Sequence, residues 1–189
     1  MALAVDYRPV DTGGIILRAD CRIGPEETAG DVHDRLMEMG AKLVVETTEG
    51  LIQHNVETRV QRSFIQGSEV LHPAPKLTKE NTRIDWTRSS KQIYNLIRGL
   101  SPYPAAWTTL VRDGSAPVEL KIFFGKVASV IADRDRQSPG TVSVVDGSLY
   151  IATGNGAIEV TDLQLAGKKR MAAADFLRGF RDPERYRAV

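Results

Sequence analysis

The chain has 189 residues, of which 42% are apolar and 26% are charged, a composition typical of a folded globular protein. Its single cysteine, Cys21, excludes an internal disulfide and a zinc site built from several thiolates. No apolar run approaches the roughly 20 residues of a membrane-spanning helix, and Asp6 interrupts the first apolar stretch before a secretory signal could form. We therefore expect a cytoplasmic protein with no membrane partner.

The net charge is +1, but the two halves of the chain differ in sign. Residues 1–84 have a net charge of −3, whereas residues 85–189 have a net charge of +4. A positive surplus on one half favours an anionic partner for that half.

The first predicted elements are a strand and a long helix. The run Gly14–Ile23 is typical of a strand, and Thr28 with Asp31 predicts a capped helix start. Apolar residues then recur every three or four positions and predict an amphipathic helix to about Asn55. A strand followed by a helix resembles the last part of an α/β unit. The residues that carry the helical period are Val32, Leu36, Met39, Leu43, Thr47 and Leu51.

A stiff segment follows, in which four prolines and two tryptophans lie between positions 72 and 107. Each proline fixes its φ angle and lacks a backbone donor, so this segment is predicted to lie outside any central strand. Within it, Ser89 predicts a helix start, and the apolar face of that helix comprises Ile93, Leu96, Ile97 and Leu100.

Beyond residue 106 the pattern changes to short apolar runs with period two. Asp146-Gly147 and Asn155-Gly156 lie between such runs and predict hairpins. These features indicate a small antiparallel, OB-like β-barrel, closed by a short helix over Asp175–Phe180. The predicted strands are Trp107–Val111, Val118–Phe124, Lys126–Ala132, Thr141–Val145, Leu149–Thr153 and Ala157–Leu165.

Five motifs occur in order between about residues 11 and 180. They are Asp11-Thr12-Gly13, Pro73-Ala74-Pro75-Lys76-Leu77, Ile84-Asp85-Trp86, Arg98-Gly99-Leu100-Ser101-Pro102-Tyr103-Pro104-Ala105-Ala106-Trp107 and Ala166-Gly167-Lys168-Lys169-Arg170-Met171. Each is weak alone, but in this order and spacing they resemble the C-terminal portion of methionyl-tRNA formyltransferase. That family transfers a formyl group from 10-formyltetrahydrofolate to the amino group of initiator methionyl-tRNA in translation initiation.

The resemblance implies three regions and an α+β fold overall. Residues 1–70 would be an α/β remnant of the formyltransferase catalytic domain, a strand plus the long helix. Residues 71–88 would be a proline-rich linker. Residues 89–189 would be a C-terminal antiparallel β-barrel that binds initiator methionyl-tRNA. We expect a monomer and no metal site.

The resemblance also assigns a catalytic role to Asp11. In this family an Asp-x-Gly turn lies beside an Asn-x-His pair, and the carboxylate orients an imidazole that stabilises the oxyanion of the attacked formamide. Thr12 and Gly13 would then contact the folate co-substrate, because glycine allows close approach of the backbone. Without the family context, Asp11 would be interpreted as a turn acid that caps the following strand.

The Asn-x-His pair is absent from the 189 residues. His33, His54 and His72 are each better explained as surface or locally bonded histidines. We therefore expect most of the folate site to be missing and the isolated chain to be inactive, as a truncated form of the enzyme.

The densest basic cluster is Lys168-Lys169-Arg170, and the family holds its tRNA on this side of the barrel. Lys76 in the linker would extend this surface. A solvated run of charges is the alternative interpretation.

Three other functions fit part of the pattern. A nucleotide-sugar N-formyltransferase shares the transfer chemistry, but its small acceptor needs no basic surface. A non-catalytic tRNA-binding module would keep tRNA affinity without formyl transfer. An aspartic protease of the retroviral type uses Asp-Thr-Gly, but the strand, long helix and proline linker do not suit that fold.

Overall fold

The computed structural model describes residues 2–5, 14–64, 73–128 and 138–189 of the chain. The chain divides into two compact units, Met1–Lys76 and Leu77–Val189. Within the described ranges, no helix is long and apolar enough to cross a membrane.

The first unit contains a two-stranded antiparallel sheet and one long helix. Strand β1 (Ala2–Val5) pairs with β2 (Gly14–Arg18), and helix α1 spans Ala29–Ile52. The strand predicted over Gly14–Ile23 therefore ends five residues early. The ladder between β1 and β2 ends where Arg18 pairs with Ala2, the first residue of β1.

A reciprocal cap begins helix α1, as the sequence predicts. The backbone N–H of Asp31 donates to Thr28 Oγ1 at 3.2 Å, and the backbone N–H of Thr28 donates to Asp31 Oδ2 at 2.8 Å. Two donors that the first turn would leave unpaired are satisfied in this way. The helix then buries Gly40, Leu43 and Thr47.

The second unit is an antiparallel sheet with two α-helices on it, an α+β arrangement that agrees with the predicted class. The sheet order is β5-β6-β7-β4-β3-β9, and β8 pairs with β7 outside this path. The sheet curls, because Thr141, just before β5, forms an isolated antiparallel bridge with Arg187 of β9. The elements are α2 (Ser90–Leu100), β3 (Ala106–Val111), β4 (Val118–Ala128), β5 (Val142–Val145), β6 (Ser148–Thr153), β7 (Gly156–Leu165), β8 (Met171–Ala172), α3 (Ala173–Gly179) and β9 (Arg187–Ala188).

Strand β4 is continuous where the sequence predicted two strands separated at Gly125. The register between β4 and β7 shifts on both sides of Phe124, which is a bulge that bends the strand without ending it. A Cβ atom at Gly125 would lie 2.9 Å from the carbonyl oxygen of Glu159. Glycine is therefore required here for the close approach of two paired strands, not for a turn. The last part of the predicted strand Lys126–Ala132 lies outside the described residues.

The core of the second unit lies between helix α2 and the concave face of the sheet. Ser89 caps the helix, and Ile93, Ile97 and Leu100 of α2 are almost fully buried against strand residues. Trp86 belongs to the same core and is 4% exposed. Its indole Nε1–H donates to Thr108 Oγ1 at 2.9 Å, so the buried polar group has an acceptor.

Both predicted hairpins are present, but one turn is shifted by a residue. Asp146 and Gly147 have φ angles of 48° and 75° and connect β5 to β6. In the second hairpin Thr153 pairs with Gly156, so the two central residues are Gly154 and Asn155 instead of Asn155 and Gly156.

A contact with the start of helix α2 explains the shift. The N–H of Gly154 donates to the carbonyl oxygen of Arg88 at 2.9 Å, and the N–H of Ser90 donates to Asn155 Oδ1 at 2.9 Å. A Cβ atom at position 154 would lie 2.1 Å from the carbonyl oxygen of Thr87. Only glycine fits at this position.

We expect Gly154→Ala to destabilise the second unit by roughly 1–3 kcal/mol, because the overlap with Thr87 forces the turn and the helix start apart. Tryptophan fluorescence during urea denaturation measures this unit alone, since Trp86 and Trp107 are the two tryptophans of the chain. Gly99→Ala is the matched control. A Cβ atom there meets nothing within 4 Å, and alanine in helix α2 should be neutral or stabilise by about 0.5 kcal/mol. Equal midpoints for the two variants would contradict this account.

The cap of helix α1 should make that helix sensitive to acid. Hydrogen bonds from the Thr28 hydroxyl and backbone hold the pKa of Asp31 below its ordinary value. A lowered pKa stabilises the folded state above the unfolded pKa, and this contribution disappears as the pH falls through the folded value. Amide hydrogen exchange of α1 should therefore lose more protection between pH 6 and pH 3 in the wild type than in Asp31→Asn. Glu38→Gln, at an exposed position of the same helix, should follow the wild type.

Candidate nucleic-acid interface

The predicted basic cluster lies on the turn between β7 and β8. Gly167 has a φ angle of 74°, which the tight turn requires. The N–H of Lys168 donates to the carbonyl oxygen of Leu165 at 3.0 Å, and Gln164 Nε2 donates to the carbonyl oxygen of Lys168 at 2.8 Å. Two hydrogen bonds thus fix the backbone of an exposed turn.

Arg170 differs from the two lysines in having a partner. Its Nε and Nη2 atoms donate to both carboxylate oxygens of Asp162 at 2.6–2.9 Å. Its guanidinium also lies 4.3 Å from the ring centroid of Phe123. The hydrogen bond to Asp162 raises the pKa of Arg170 above its ordinary value. In the part of the chain that the structure describes, no carboxylate lies within ion-pairing distance of Lys168 or Lys169. The free positive charge of this turn therefore belongs to the two lysines.

The remaining predicted site residues are Asp11, Thr12, Gly13 and Lys76. Asp11, Thr12 and Gly13 lie outside the described residues. Strand β2 begins at the next position, and Ile15 exchanges two backbone hydrogen bonds with Arg59. Lys76 is exposed and belongs to the first compact unit.

The sequence did not predict that two cations meet on the ring of Trp107. Lys79 Nζ lies 4.8 Å and the Arg83 guanidinium 5.3 Å from the Trp107 ring centroid. The indole Nε1–H donates to the carbonyl oxygen of Lys79 at 2.8 Å. Lys79 Nζ also forms an ion pair with Glu119 at 2.8 Å. Period two in β3 places Trp107 on the outer face and is the sequence signal for this cluster.

A groove of about 700 Å³ lies beside helix α2, with Ile84, Trp86 and Ile93 among its apolar lining residues. Two of its arginines are engaged: Arg88 with Asp85 at 3.5 Å, and Arg187 with a backbone carbonyl. Hydrogen bonds from Thr87 lower the pKa of Asp85. Among the described residues, no group of three or more His, Cys, Asp or Glu side chains could hold a metal ion.

Comparisons with known proteins agree in one family. The model of the formyl transferase C-terminal domain matches residues 76–181. A methionyl-tRNA formyltransferase from Phocaeicola vulgatus is 44% identical over 173 residues, which are 91% of this chain and 52% of that protein. One from Chlorobium phaeovibrioides is 41% identical and is covered to 51% of its length. The chain thus spans about half the length of these relatives.

Solved structures with the same fold are more distant in sequence. A crystal structure of a variant of HypX from Aquifex aeolicus is similar with a TM-score of 0.66 at 18% identity, over 95% of this chain and 31% of that chain. A structure of HypX in complex with tetrahydrofolic acid is similar with a TM-score of 0.65, also at 18% identity, over 93% of this chain and 29% of that one. At this identity the similarity extends to the fold alone.

Proposed function

Because the chain belongs to the family of the formyl transferase C-terminal domain, matched over residues 76–181, we propose that it is the C-terminal portion of a methionyl-tRNA formyltransferase, with the tRNA-binding domain and part of the catalytic domain. The observation that carries this proposal is the identity of 44% to such an enzyme over 91% of the chain. The two exposed lysines of the β7–β8 turn support it, because a small acceptor would not need them.

We propose three regions for this function. Residues 1–70 belong to the catalytic domain, residues 71–88 are the linker, and residues 89–189 form the OB-like tRNA-binding domain. Residues 77–88 pack within the second compact unit, which would fix one end of the linker to the tRNA-binding domain. We propose that the protein is cytoplasmic and monomeric.

The proposed reaction is attack of the neutral amino group of methionyl-tRNA on the formyl carbon of 10-formyltetrahydrofolate. A new carbon–nitrogen bond forms, the amine loses a proton, and tetrahydrofolate leaves with the electron pair of the broken bond. Asp11 would orient an imidazole that donates to the oxyanion, and Thr12 and Gly13 would lie against the folate. The Asn-x-His pair would come from another polypeptide segment, since these 189 residues do not contain it.

The tRNA would be bound through its phosphates. We assign Lys168 and Lys169 to direct contacts, since their ammonium groups have no carboxylate partner among the described residues. Arg170 would add a weaker contact, because Asp162 offsets its charge. Lys76 would extend the phosphate contacts on the linker side.

We expect initiator tRNA to bind the full 189-residue chain with strong salt dependence. The double variant Lys168→Gln/Lys169→Gln should reduce the log–log salt slope by about 1.5, because each lost phosphate contact removes roughly 0.7–0.9 from it. Fluorescence anisotropy across a potassium chloride series gives the slope. Lys42→Gln/Lys126→Gln removes the same charge at other exposed positions and should keep the wild-type slope. Salt-dependent binding would exclude the small-acceptor formyltransferase, and the absence of such binding would favour it.

We expect the purified 189-residue chain to give no formylation of methionyl-tRNA above background, because the oxyanion donors are absent from its sequence. The assay follows radiolabelled formyl transfer from 10-formyltetrahydrofolate at saturating tRNA. Turnover comparable to that of a relative of full length would contradict this expectation. If Asp11→Asn abolished such turnover, the assignment of Asp11 would nevertheless stand.

A further inference from the structure

We propose that the outer face of strands β3, β4 and β7 carries a row of side chains that binds the phosphate backbone of RNA. The row consists of Arg83, Trp107, Lys121, Gln164 and Lys168, and it is called the basic row below. It rests on the proposed function, because the RNA would be the acceptor tRNA. It extends the binding surface from one turn across three strands.

Strand register places the centre of the row on one face. Trp107 pairs with Lys121 across β3 and β4, and Lys121 pairs with Gln164 across β4 and β7. Directly opposed residues of antiparallel strands project to the same face of a sheet. The alternate positions Thr108, Leu120 and Leu163 are fully buried on the core side. The three side chains of the row therefore point outward, about 5 Å apart from strand to strand.

The two ends of the row are held by hydrogen bonds. At one end Arg83 forms a parallel bridge with Trp107, and the N–H of Ile84 donates to the carbonyl oxygen of Trp107 at 2.8 Å. The Arg83 guanidinium then lies against the Trp107 ring. At the other end Gln164 Nε2 donates to the carbonyl oxygen of Lys168. The basic row and the β7–β8 turn are thus one continuous surface.

The charges of the row are available to a ligand. In the ranges that the structure describes, no carboxylate lies within ion-pairing distance of Arg83, Lys121 or Lys168. The other end of the same face differs, since Lys126 of β4 is directly opposite Glu159 of β7. The opposed carboxylate of Glu159 offsets the charge of Lys126, whereas Lys121 is opposite the uncharged Trp107 and Gln164. Net positive charge is therefore concentrated at one end of the sheet's outer face.

A nucleic-acid backbone matches this arrangement better than an acidic protein does. Phosphates repeat at short intervals along a strand and accept hydrogen bonds from Lys, Arg and Gln side chains alike. The row offers these three donor types in a line, and it leads into a turn whose lysines we assign to tRNA. Trp107 serves as a support for the cations instead of a stacking platform, because Lys79 and Arg83 already lie on its ring.

The test is tRNA binding by Lys121→Gln in the full chain, measured by anisotropy with labelled initiator tRNA across a potassium chloride series. We expect the log–log salt slope to become less steep by about 0.7–0.9, and the affinity to fall about tenfold near 50 mM salt. Lys121→Arg keeps the charge and should restore most of the affinity. Lys126→Gln is the matched control on the same strand and face, and it should stay within about twofold of the wild type. Far-ultraviolet circular dichroism and the urea midpoint confirm folding.

The outcomes separate this proposal from the one on which it rests. If wild-type protein does not bind tRNA, the proposed function fails and the row fails with it. The second outcome is that tRNA binds and that Lys168→Gln/Lys169→Gln weakens the binding. If Lys121→Gln and Arg83→Gln then leave the salt slope and the affinity unchanged, the proposal of the basic row is overturned and the proposed function stands. If poly-glutamate competes as well as RNA of equal charge, the partner is an acidic polypeptide and the assignment to RNA is overturned.

Discussion

The second unit depends on one series of hydrogen bonds through strand β3, which lies next to the edge strand β9. The indole of Trp86 donates to the hydroxyl of Thr108, and that hydroxyl donates to the carbonyl oxygen of Val189 at 3.0 Å. Trp86 and Thr108 are buried, so leaving either of their polar groups unpaired would cost on the order of 1–3 kcal/mol. These hydrogen bonds link three distant parts of the sequence: the segment before helix α2, strand β3 and Val189, which follows strand β9.

The same strand carries the candidate interface on its other face. Thr108 points into the core, and its neighbour Trp107 points outward, where Lys79 and Arg83 lie on its ring. The segment from Lys79 to Trp86 is therefore bound to β3 through Trp86 on the core side of the sheet and through Trp107 on its outer side. A single stretch of the proline-rich region consequently fixes both the core and the position of two cations. A segment that served only to connect two domains would not need two tryptophans held in this way.

Local signals in the sequence predicted the features that depend on neighbouring residues. Thr28 and Ser89 begin helices because their caps are made within three positions, and Asp146-Gly147 makes its turn by backbone preference alone. Long-range contacts determine the features that the local sequence pattern did not predict. The second hairpin turn is centred on Gly154 because that residue contacts Thr87, and no local pattern contains this information.

The candidate site shows the same division between local and long-range information. The lysine cluster is visible in the sequence, but the partner of Arg170 is Asp162 on the preceding strand, and the alignment of Trp107, Lys121 and Gln164 exists only through strand register. A net charge of +1 gives no indication of an interface either. The paired cations, Lys79 with Glu119 and Arg170 with Asp162, flank the unpaired ones. Affinity for a polyanion would thus follow from which cations the fold leaves without partners, because a cation that already has a carboxylate must give it up to bind a phosphate.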